Sequence, residues 1–155
     1  MNTWSFRALS TLAGAVLLVA ASGAMAERAD NSKPMQIAAD AMRYDDVKQT
    51  SIWTGNVIAT KGTIVIRGDV VEVREDAEGY QHGTVTGNAK KRAFFRQKRD
   101  SVDEFMEGEG ETIVYDGKKD VIQFVKNAEV RRYRGTVLAD EIKGTLIVYE
   151  NLNDR

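Results

Sequence analysis

Short stretches of alternating apolar and polar residues dominate the chain from Met35 onward. In Ile64–Arg67 the even positions are apolar, and in Val71–Arg74 the odd positions are apolar. Alternation with a period of two is the pattern of a half-buried β-strand. The change of phase at Gly68-Asp69 predicts a corner or bulge at which the sheet bends.

Turn-forming residues separate these stretches, which are rich in Val, Ile, Tyr and Thr. The turn sequences are Asp45-Asp46, Thr54-Gly-Asn56, Lys61-Gly62, Glu78-Gly79, Thr86-Gly-Asn88, Asp116-Gly117 and Arg134-Gly135. Strands of this composition between such turns are typical of an all-β protein. Beyond the N-terminal segment the pattern predicts no helix.

The chain also repeats itself at a fixed offset, with the segment from Ala39 lying over the segment from Gly110. Aromatic, acidic and apolar characters are kept together at the matched positions. The matches include Asp40 on Glu111, Tyr44 on Tyr115, Trp53 on Phe124, Asn56 on Asn127, Gly68 on Ala139 and Asp69 on Asp140. Such self-similarity predicts a fold built from internal repeats that bury their apolar faces against one another.

The N-terminal segment, 1–26, has the composition of a signal peptide. Arg7 precedes an apolar run of small residues from Ala8 to Ala21, and Ala24-Met-Ala26 fits a cleavage site before Glu27. We therefore expect cleavage between Ala26 and Glu27 and a periplasmic location. The alternative is an uncleaved anchor helix, for which about 20 apolar residues are needed. The remaining chain divides into a flexible lead-in at 27–34, a folded domain at 35–150 and a short tail at 151–155.

Composition narrows the choice of function. The 155 residues contain 22 Lys and Arg against 23 Asp and Glu, and this balance argues against broad binding of nucleic acid. There is no cysteine, so neither a disulfide nor a thiol nucleophile is available. Stability must come from strand pairing and burial.

Residues suited to catalysis are few. The single histidine, His82, lies in the turn-like Gly79–Gly83, which favours a solvated loop residue over a catalytic base. Metal-ligand spacing is absent, and the acidic pairs Asp45-Asp46 and Asp103-Glu104 fit β-turns better than a glycosidase site. We expect no enzyme, no cofactor and no bound metal.

A basic block stands out at Lys90–Arg99, where six cations surround Phe94 and Phe95, and six anions follow between Asp100 and Glu111. A hairpin would place the two blocks opposite each other and neutralise them across the strands. Alternatively, the cations face a phosphorylated ligand or a negatively charged partner while the phenyl rings point inward.

Alternation places twelve apolar residues on the inward face: Met35, Ile37, Val57, Ile64, Ile66, Val71, Val73, Phe94, Ile113, Tyr115, Ile122 and Phe124. Most β-protein interiors are packed shut. Periodicity alone does not distinguish a filled core from an open lumen.

Three segments resemble the LptA/OstA family of periplasmic lipopolysaccharide-transport proteins. They are Pro34-Met-Gln-Ile-Ala-Ala-Asp40, the run from Thr54-Gly-Asn56 through Gly68-Asp-Val-Val71, and Asn127-Ala with Leu138-Ala-Asp-Glu-Ile142. The resemblance covers nearly all of residues 34–150. It implies a semi-open antiparallel β-jellyroll with a V-shaped cross-section and an apolar interior.

The resemblance also implies a function without catalysis. Lipopolysaccharide acyl chains would lie in the groove formed by the twelve inward residues, with Met35 and Ile37 on the entry strand and Phe94 as the inner aromatic. Like domains would stack head to tail and bridge the periplasm from inner to outer membrane. The implied partners are lipopolysaccharide, a second copy of the chain, and OstA-like domains of the inner-membrane and outer-membrane components.

Edge strands would make those partner contacts. Thr145-Leu-Ile-Val-Tyr149 carries no charge or proline to block pairing, so Ile147 and Tyr149 are expected to meet Met35 and Ile37 of the next copy. Family members usually continue with further strand sequence, which leaves the C-terminal interface open. The alternatives are a membrane-anchored sister component with the same fold, a stacked-strand polysaccharide-acting enzyme and a purely structural repeat.

Overall fold

The structure is a computed structural model that describes residues 33–99 and 103–150. The expected cleavage site at Ala26 and Glu27 and the tail at 151–155 lie outside the described residues. Between residues 33 and 150 the described chain is made of strands and turns. It contains no helical segment with the length and apolar character needed to cross a bilayer.

The described residues form ten β-strands, and every pairing between them is antiparallel. They are β1 (Met35–Ala38), β2 (Ala41–Asp45), β3 (Thr50–Lys61), β4 (Ile64–Glu75), β5 (Gln81–Thr86), β6 (Ala93–Lys98), β7 (Glu104–Gly110), β8 (Thr112–Asp116), β9 (Val121–Arg134) and β10 (Val137–Glu150). The sequence prediction of an all-β chain is confirmed.

Successive strands pair in chain order, so the topology is a meander. β1 and β2 are two parts of one segment that pairs with β3, and β5 with β6 likewise forms one segment along β4. β7 and β8 form a third such segment, which pairs with β9, and β10 completes the order by pairing with β9 on its other side. Seven long segments therefore run up and down the domain.

Each long segment bends near its middle. In β3 the pairing with β4 jumps between Thr54 and Val57, where Gly55 and Asn56 have positive φ angles. In β9 the corresponding positive φ angles are at Lys126 and Asn127. We call the line of bends across the sheet the crease. The bend expected at Gly68-Asp69 lies on it, since β4 pairs with β6 before this point and with β5 after it.

The crease divides the sheet into two layers that face each other. Layer A consists of β2, β5, β8 and residues 50–54, 70–75, 121–125 and 146–150 of the long strands. Layer B consists of β1, β6, β7 and residues 57–61, 64–68, 128–134 and 137–144. The two layers turn their apolar faces to one another, as expected for a jellyroll-like domain.

The same hydrogen bonds occur twice along the crease, at the offset that the sequence repeat predicts. The backbone N–H of Asp40 donates to the Gly55 carbonyl oxygen at 2.9 Å, and the Asn56 side-chain amide donates to the Asp40 carboxylate at 3.1 Å. Glu111 accepts from the Asn127 side-chain amide at 2.8 Å, and its N–H donates to the Lys126 carbonyl oxygen at 2.9 Å. The repeat in the sequence is therefore a repeat of corner geometry.

The offset does not persist into β10. Gly68 lies opposite Val57, and the residue with the same place opposite Ala128 is Gly144, not Ala139. The expected superposition of Asp69 on Asp140 is therefore wrong. The cause is that the hairpin between β9 and β10 is longer than the hairpin between β3 and β4. Equivalent residues of β4 and β10 are therefore separated by a larger offset.

The core lies between the layers and receives residues from both. Its buried members are Val57, Val71, Val85, Ala93, Phe95, Met106, Ile113, Ile122, Phe124 and Ala128. The rings of Phe95 and Phe124 meet edge to face with centroids 6.4 Å apart. Phe124 is completely buried, and burial of such a side chain stabilises the fold by about 1.5–3 kcal/mol.

Candidate functional site

A cavity of about 320 Å³ lies between the two layers on the side of the N-terminal strands. Its walls come from β1, β3, β4 and β6 in layer B and from β4, β5, β8 and the start of β9 in layer A. Neither β7 nor β10 contributes a lining residue. The lining is mainly aliphatic and aromatic, so the cavity is an apolar groove within the sheet sandwich.

Nine of the twelve residues predicted on the inward face line this groove. They are Met35, Ile37, Ile64, Ile66, Val71, Val73, Ile113, Tyr115 and Ile122. Alternation brought them to one face of each strand, and the facing of the two layers brings them together. Their lipid-binding role remains a prediction.

Two further predicted residues, Val57 and Phe124, lie inside the domain but not on the groove. Both are fully buried beside the crease, where the layers are closest. Phe124 fills the space over Gly108, where an added Cβ would lie 2.2 Å from its ring. These side chains close the narrow end of the sandwich.

The prediction that Phe94 is the inner aromatic residue is wrong, because its neighbour Phe95 lines the groove. Phe95 lies opposite Ile66, whereas Phe94 lies opposite Arg67 on the outer face. The Arg67 guanidinium stacks 4.3 Å from the centre of the Phe94 ring. The alternation of buried residues at Ala93, Phe95 and Gln97 fixes this register and could have been extended from the sequence.

Several lining residues escaped the sequence prediction. Ala59 and Val85 line the groove and have the same alternation as the predicted residues, but both are small. Gln97 also lines the groove. It was not predicted because it is polar, although it follows the inward residues Ala93 and Phe95 at the same spacing. A prediction by strand register would have found all three.

The groove walls also have polar side chains, namely Thr60, Lys61, Gln81, His82, Gln97 and Asp120. Burial raises the pKa of Tyr115, and the nearby charge of Asp120 and a hydrogen bond to it raise the pKa further. Burial also raises the pKa of Asp120, while the Tyr115 hydroxyl partly offsets this effect. The pair places a hydrogen-bonded polar group at the layer A side of an apolar surface.

His82 lies in β5 between two aspartates, so the expectation of a solvated loop residue is wrong. Its Nε2 is 2.8 Å from the Asp76 carboxylate and its Nδ1 is 3.6 Å from that of Asp116. The hydrogen bond with His82 lowers the pKa of Asp76, and the Lys119 backbone N–H is the main cause of the lowered pKa of Asp116. Within residues 33–99 and 103–150 no cluster of His and carboxylates could hold a metal.

Three arginines of the basic block at 90–99, which lie in β6 or directly beside it, form ion pairs with acids of β7. Arg92 lies 2.6 Å from Glu109, Arg96 lies 3.6 Å from Glu107, and Arg99 lies 3.7 Å from Glu104. Phe94 and Phe105 are each covered by an arginine on the same outer face. These three arginines therefore have the neutralising arrangement that a hairpin predicts.

Arg131 of β9 extends this network on the outer face of layer B. It contacts Glu107, Glu109 and Glu129 at 3.0–3.4 Å. Burial alone would lower the pKa of Arg131, but Glu129 and Glu109 raise it above its ordinary value. The arrangement joins β6, β7 and β9 and leaves the groove on the opposite face apolar.

The two ends of the sheet are unpaired edges within the described part of the chain. β1 and β2 pair only with β3, and β10 pairs only with β9. Ile147 and Tyr149 of β10 pack inward against the core, while Leu146 and Val148 are exposed. Of the four predicted contact residues, Met35 and Ile37 also line the groove.

Comparisons with known proteins agree with this geometry. Residues 36–154 match the family described as "LptA/(LptD N-terminal domain) LPS transport protein". Similar curated proteins include lipopolysaccharide export system protein LptA of Escherichia coli strain K12, 31% identical over 86% of this chain and 71% of its own length. LptH of Pseudomonas aeruginosa is 25% identical over 92% of this chain and 77% of its own.

A solved structure shows the same architecture. It is the crystal structure of LptH, described as the LptA-homologous periplasmic component of the conserved lipopolysaccharide transport device from Pseudomonas aeruginosa. The two chains superpose with a TM-score of 0.68 at 25% identity, over 79% of each. By its matched length, its relatives and its fold, the chain belongs to the LptA/(LptD N-terminal domain) family of LPS transport proteins.

Proposed function

We propose that this chain binds lipopolysaccharide in the periplasm and carries it toward the outer membrane, with acyl chains held in the groove between the layers. The observation that carries the proposal is the apolar cavity itself, walled by nine of the residues that alternation predicted. The sugars of the ligand remain in water. Because the family consists of LPS transport proteins, the expectation that the chain is not an enzyme is confirmed.

The energetics of an acyl chain support a shielded groove. Each methylene that leaves water contributes about 0.8 kcal/mol, so a lipid with several long chains does not cross an aqueous compartment uncovered. Contacts with Ile64, Ile66 and Val73 are non-directional and spread along two walls. Such distributed contacts hold a chain without a single deep site that would trap it.

The edges at either end support assembly with like domains. β10 has exposed apolar side chains and an unpaired side, and the β1–β2 edge is unpaired at the other end of the described sheet. Pairing of β10 with the β1–β2 edge of a second copy would be heterologous and would extend as an open row. OstA-like domains of membrane components could dock on the same edges.

Export with cleavage between Ala26 and Glu27 completes the proposal. Its support is the sequence of residues 1–26, which fall outside the described residues. N-terminal sequencing of protein from the periplasm tests it. A first residue of Glu27 is expected, whereas a retained segment would identify a membrane-anchored sister component.

A binding assay with purified protein tests the groove. Ile66→Asp places a carboxylate on the wall, and we expect it to weaken binding of lipopolysaccharide at least tenfold because a buried charge lacks a partner. Ile58→Asp is the matched control, since Ile58 lies on the neighbouring strand but is exposed on the outer face. Equal loss in both variants would contradict the groove as the binding site.

Sedimentation tests the assembly. The sequence favours Ile147 as the position where a charge or proline weakens self-association, but Ile147 packs against the core and its change would disturb the fold. The double variant Leu146→Lys with Val148→Lys changes exposed side chains of the same strand instead. We expect it to reduce association, with Ile58→Lys as the control. Unchanged association would contradict docking through β10.

A further inference from the structure

Among the described residues that line the groove, Lys61 is the only lysine or arginine. It is half-buried at the end of β3, and within the described part of the chain its side chain forms no ion pair or hydrogen bond. We propose that Lys61 binds the negatively charged phosphate of the head group of an amphiphile whose chains occupy the groove. The inference rests on the function proposed above.

Strand register places Lys61 at the boundary between groove and solvent. It lies between Met35 of β1 and Ile64 of β4, both of which line the groove. The turn at 62–63 follows immediately, so this is the last row of layer B before water. A lysine in such a place packs its methylene stem along apolar neighbours and presents its ammonium at the rim.

The surroundings of Lys61 add further cations. The Lys98 backbone N–H donates to the Thr63 hydroxyl at 3.2 Å, which places the end of β6 beside the turn that follows Lys61. At the same end of layer B, Arg99 and Arg134 share the single carboxylate of Glu104 at 3.7 and 3.4 Å. The sequence also has Asp100 between β6 and β7, outside the described residues. Among the described residues, this rim has the carboxylates of Asp103 and Glu104 against the cations Lys61, Lys98, Arg99 and Arg134.

The opposite rim, formed by the turns of layer A, has the reverse character. Asp76, Asp116 and Asp120 lie there, and Asp120 lines the groove itself. Its Lys118 is held by Glu78 at 3.0 Å, and His82 is held by Asp76. A phosphate would meet carboxylates on this side, so the head group of a bound amphiphile is expected to lie against the layer B rim.

Phosphate is the chemistry that fits this site. Lysine binds phosphate as a compact point charge, and a charge-assisted hydrogen bond is about twice as strong as a neutral one. Because Lys61 lies at the end of an apolar wall, an anion attached to acyl chains gains both the charge contact and the burial of its chains. A free anion gains only the first.

Binding of two lipids to the purified chain tests the proposal: doubly phosphorylated lipid A and the same lipid with its phosphates removed. We expect Lys61→Gln to weaken binding of the phosphorylated form about tenfold and to leave the dephosphorylated form unchanged. The salt dependence of binding should also decrease. Lys48→Gln is the matched control, because Lys48 is an exposed lysine of the layer A rim that does not line the groove.

The other outcomes are distinguishable. If the unchanged protein binds neither lipid, the proposed function fails before the role of Lys61 is tested. If it binds both and Lys61→Gln weakens both equally, the stem of Lys61 only packs, and the phosphate assignment is overturned. The proposal would also be overturned if Lys61→Gln left the binding of both lipids unchanged, or if Lys48→Gln weakened binding to the same extent. Inorganic phosphate at the concentration of the lipid should not compete, and competition would contradict an amphiphile as the ligand.

Discussion

The crease and the groove are built from the same alternation of residues but differ in how closely the two layers approach. At the crease, Phe124 and Val57 are 0% and 1% exposed and fill the space between the layers. Toward the rims, Ile64, Ile66 and Val73 line an open cavity and remain half-buried. The difference teaches that alternation determines which face a side chain joins, while the separation of the layers determines whether that face is core or binding wall.

The largest expected effect is at the crease. Phe124→Ala should reduce the free energy of unfolding by about 3–5 kcal/mol, because it leaves a cavity in a closed part of the core. Ile66→Ala on the groove wall should cost clearly less, because its side chain already borders open space. Urea unfolding of both variants checks the comparison. Equal losses would mean that groove and crease do not differ in packing.

Two glycines sharpen the same comparison. An alanine Cβ at Gly108 would lie 2.2 Å from the Phe124 ring, so Gly108→Ala should destabilise the protein by about 1–3 kcal/mol through overpacking. Gly83 lines the groove, and there the nearest atoms to an added Cβ are 3.8 Å away. Gly83→Ala should be tolerated. Thermal unfolding of the two variants measures the contrast, and a destabilisation by Gly83→Ala as large as that of Gly108→Ala would contradict it.

The corners of the crease provide a smaller effect. Asp40→Ala removes the acceptor of the Asn56 side-chain amide, and its cost should be about 0.5–1.5 kcal/mol. Glu111→Ala removes the acceptor of Asn127 and should cost a similar amount, since the two corners have the same geometry. Urea unfolding of each variant tests whether the two corners contribute equally to the free energy of unfolding. A loss at only one corner would contradict that reading.

The smallest effect concerns the layer A rim and is seen in acid. Asp76 and Asp116 have pKa values lowered in the folded state, so their contribution to stability is present above the unfolded carboxyl pKa of about 3.9. It is lost as the pH falls through the lower folded values. His82→Gln should reduce this acid dependence, mainly through Asp76. Melting temperatures between pH 6 and pH 3 measure it, and an identical slope in both proteins would contradict the assignment.

Much of the fold follows from the sequence because its signals are local. The alternation at 64–67 and 71–74 and the change of phase at Gly68-Asp69 predicted strands and a bend in the sheet. Gly55-Asn56 was predicted as a turn between strands, whereas it is a bend within the continuous strand β3. The choice between Phe94 and Phe95 failed because two adjacent aromatic residues satisfy either phase, and only pairing with Ile66 decides between them. His82 was misjudged because its partners Asp76 and Asp116 come from two different turns.

The sequence could not predict which inward side chains border the groove and which do not. Nothing in the pattern separates Phe124 from Ile122, and both are buried, yet only Ile122 lines the groove. The register of β10 was lost for a related reason, since hairpin length is set by pairing and not by composition. Both depend on contacts between residues that are distant along the chain.

Photo-crosslinking at two neighbouring positions tests the central claim most directly. A photoreactive side chain at Phe95 would lie on the groove wall, and one at Phe94 would lie on the outer face beside Arg67. The two variants differ by one position in the same strand, so both probes are in the same compartment and differ in the face of the sheet on which they lie. The account predicts that lipopolysaccharide is captured from position 95 and not from position 94. Equal capture from both, or capture from position 94 alone, would contradict a lipid held between the layers.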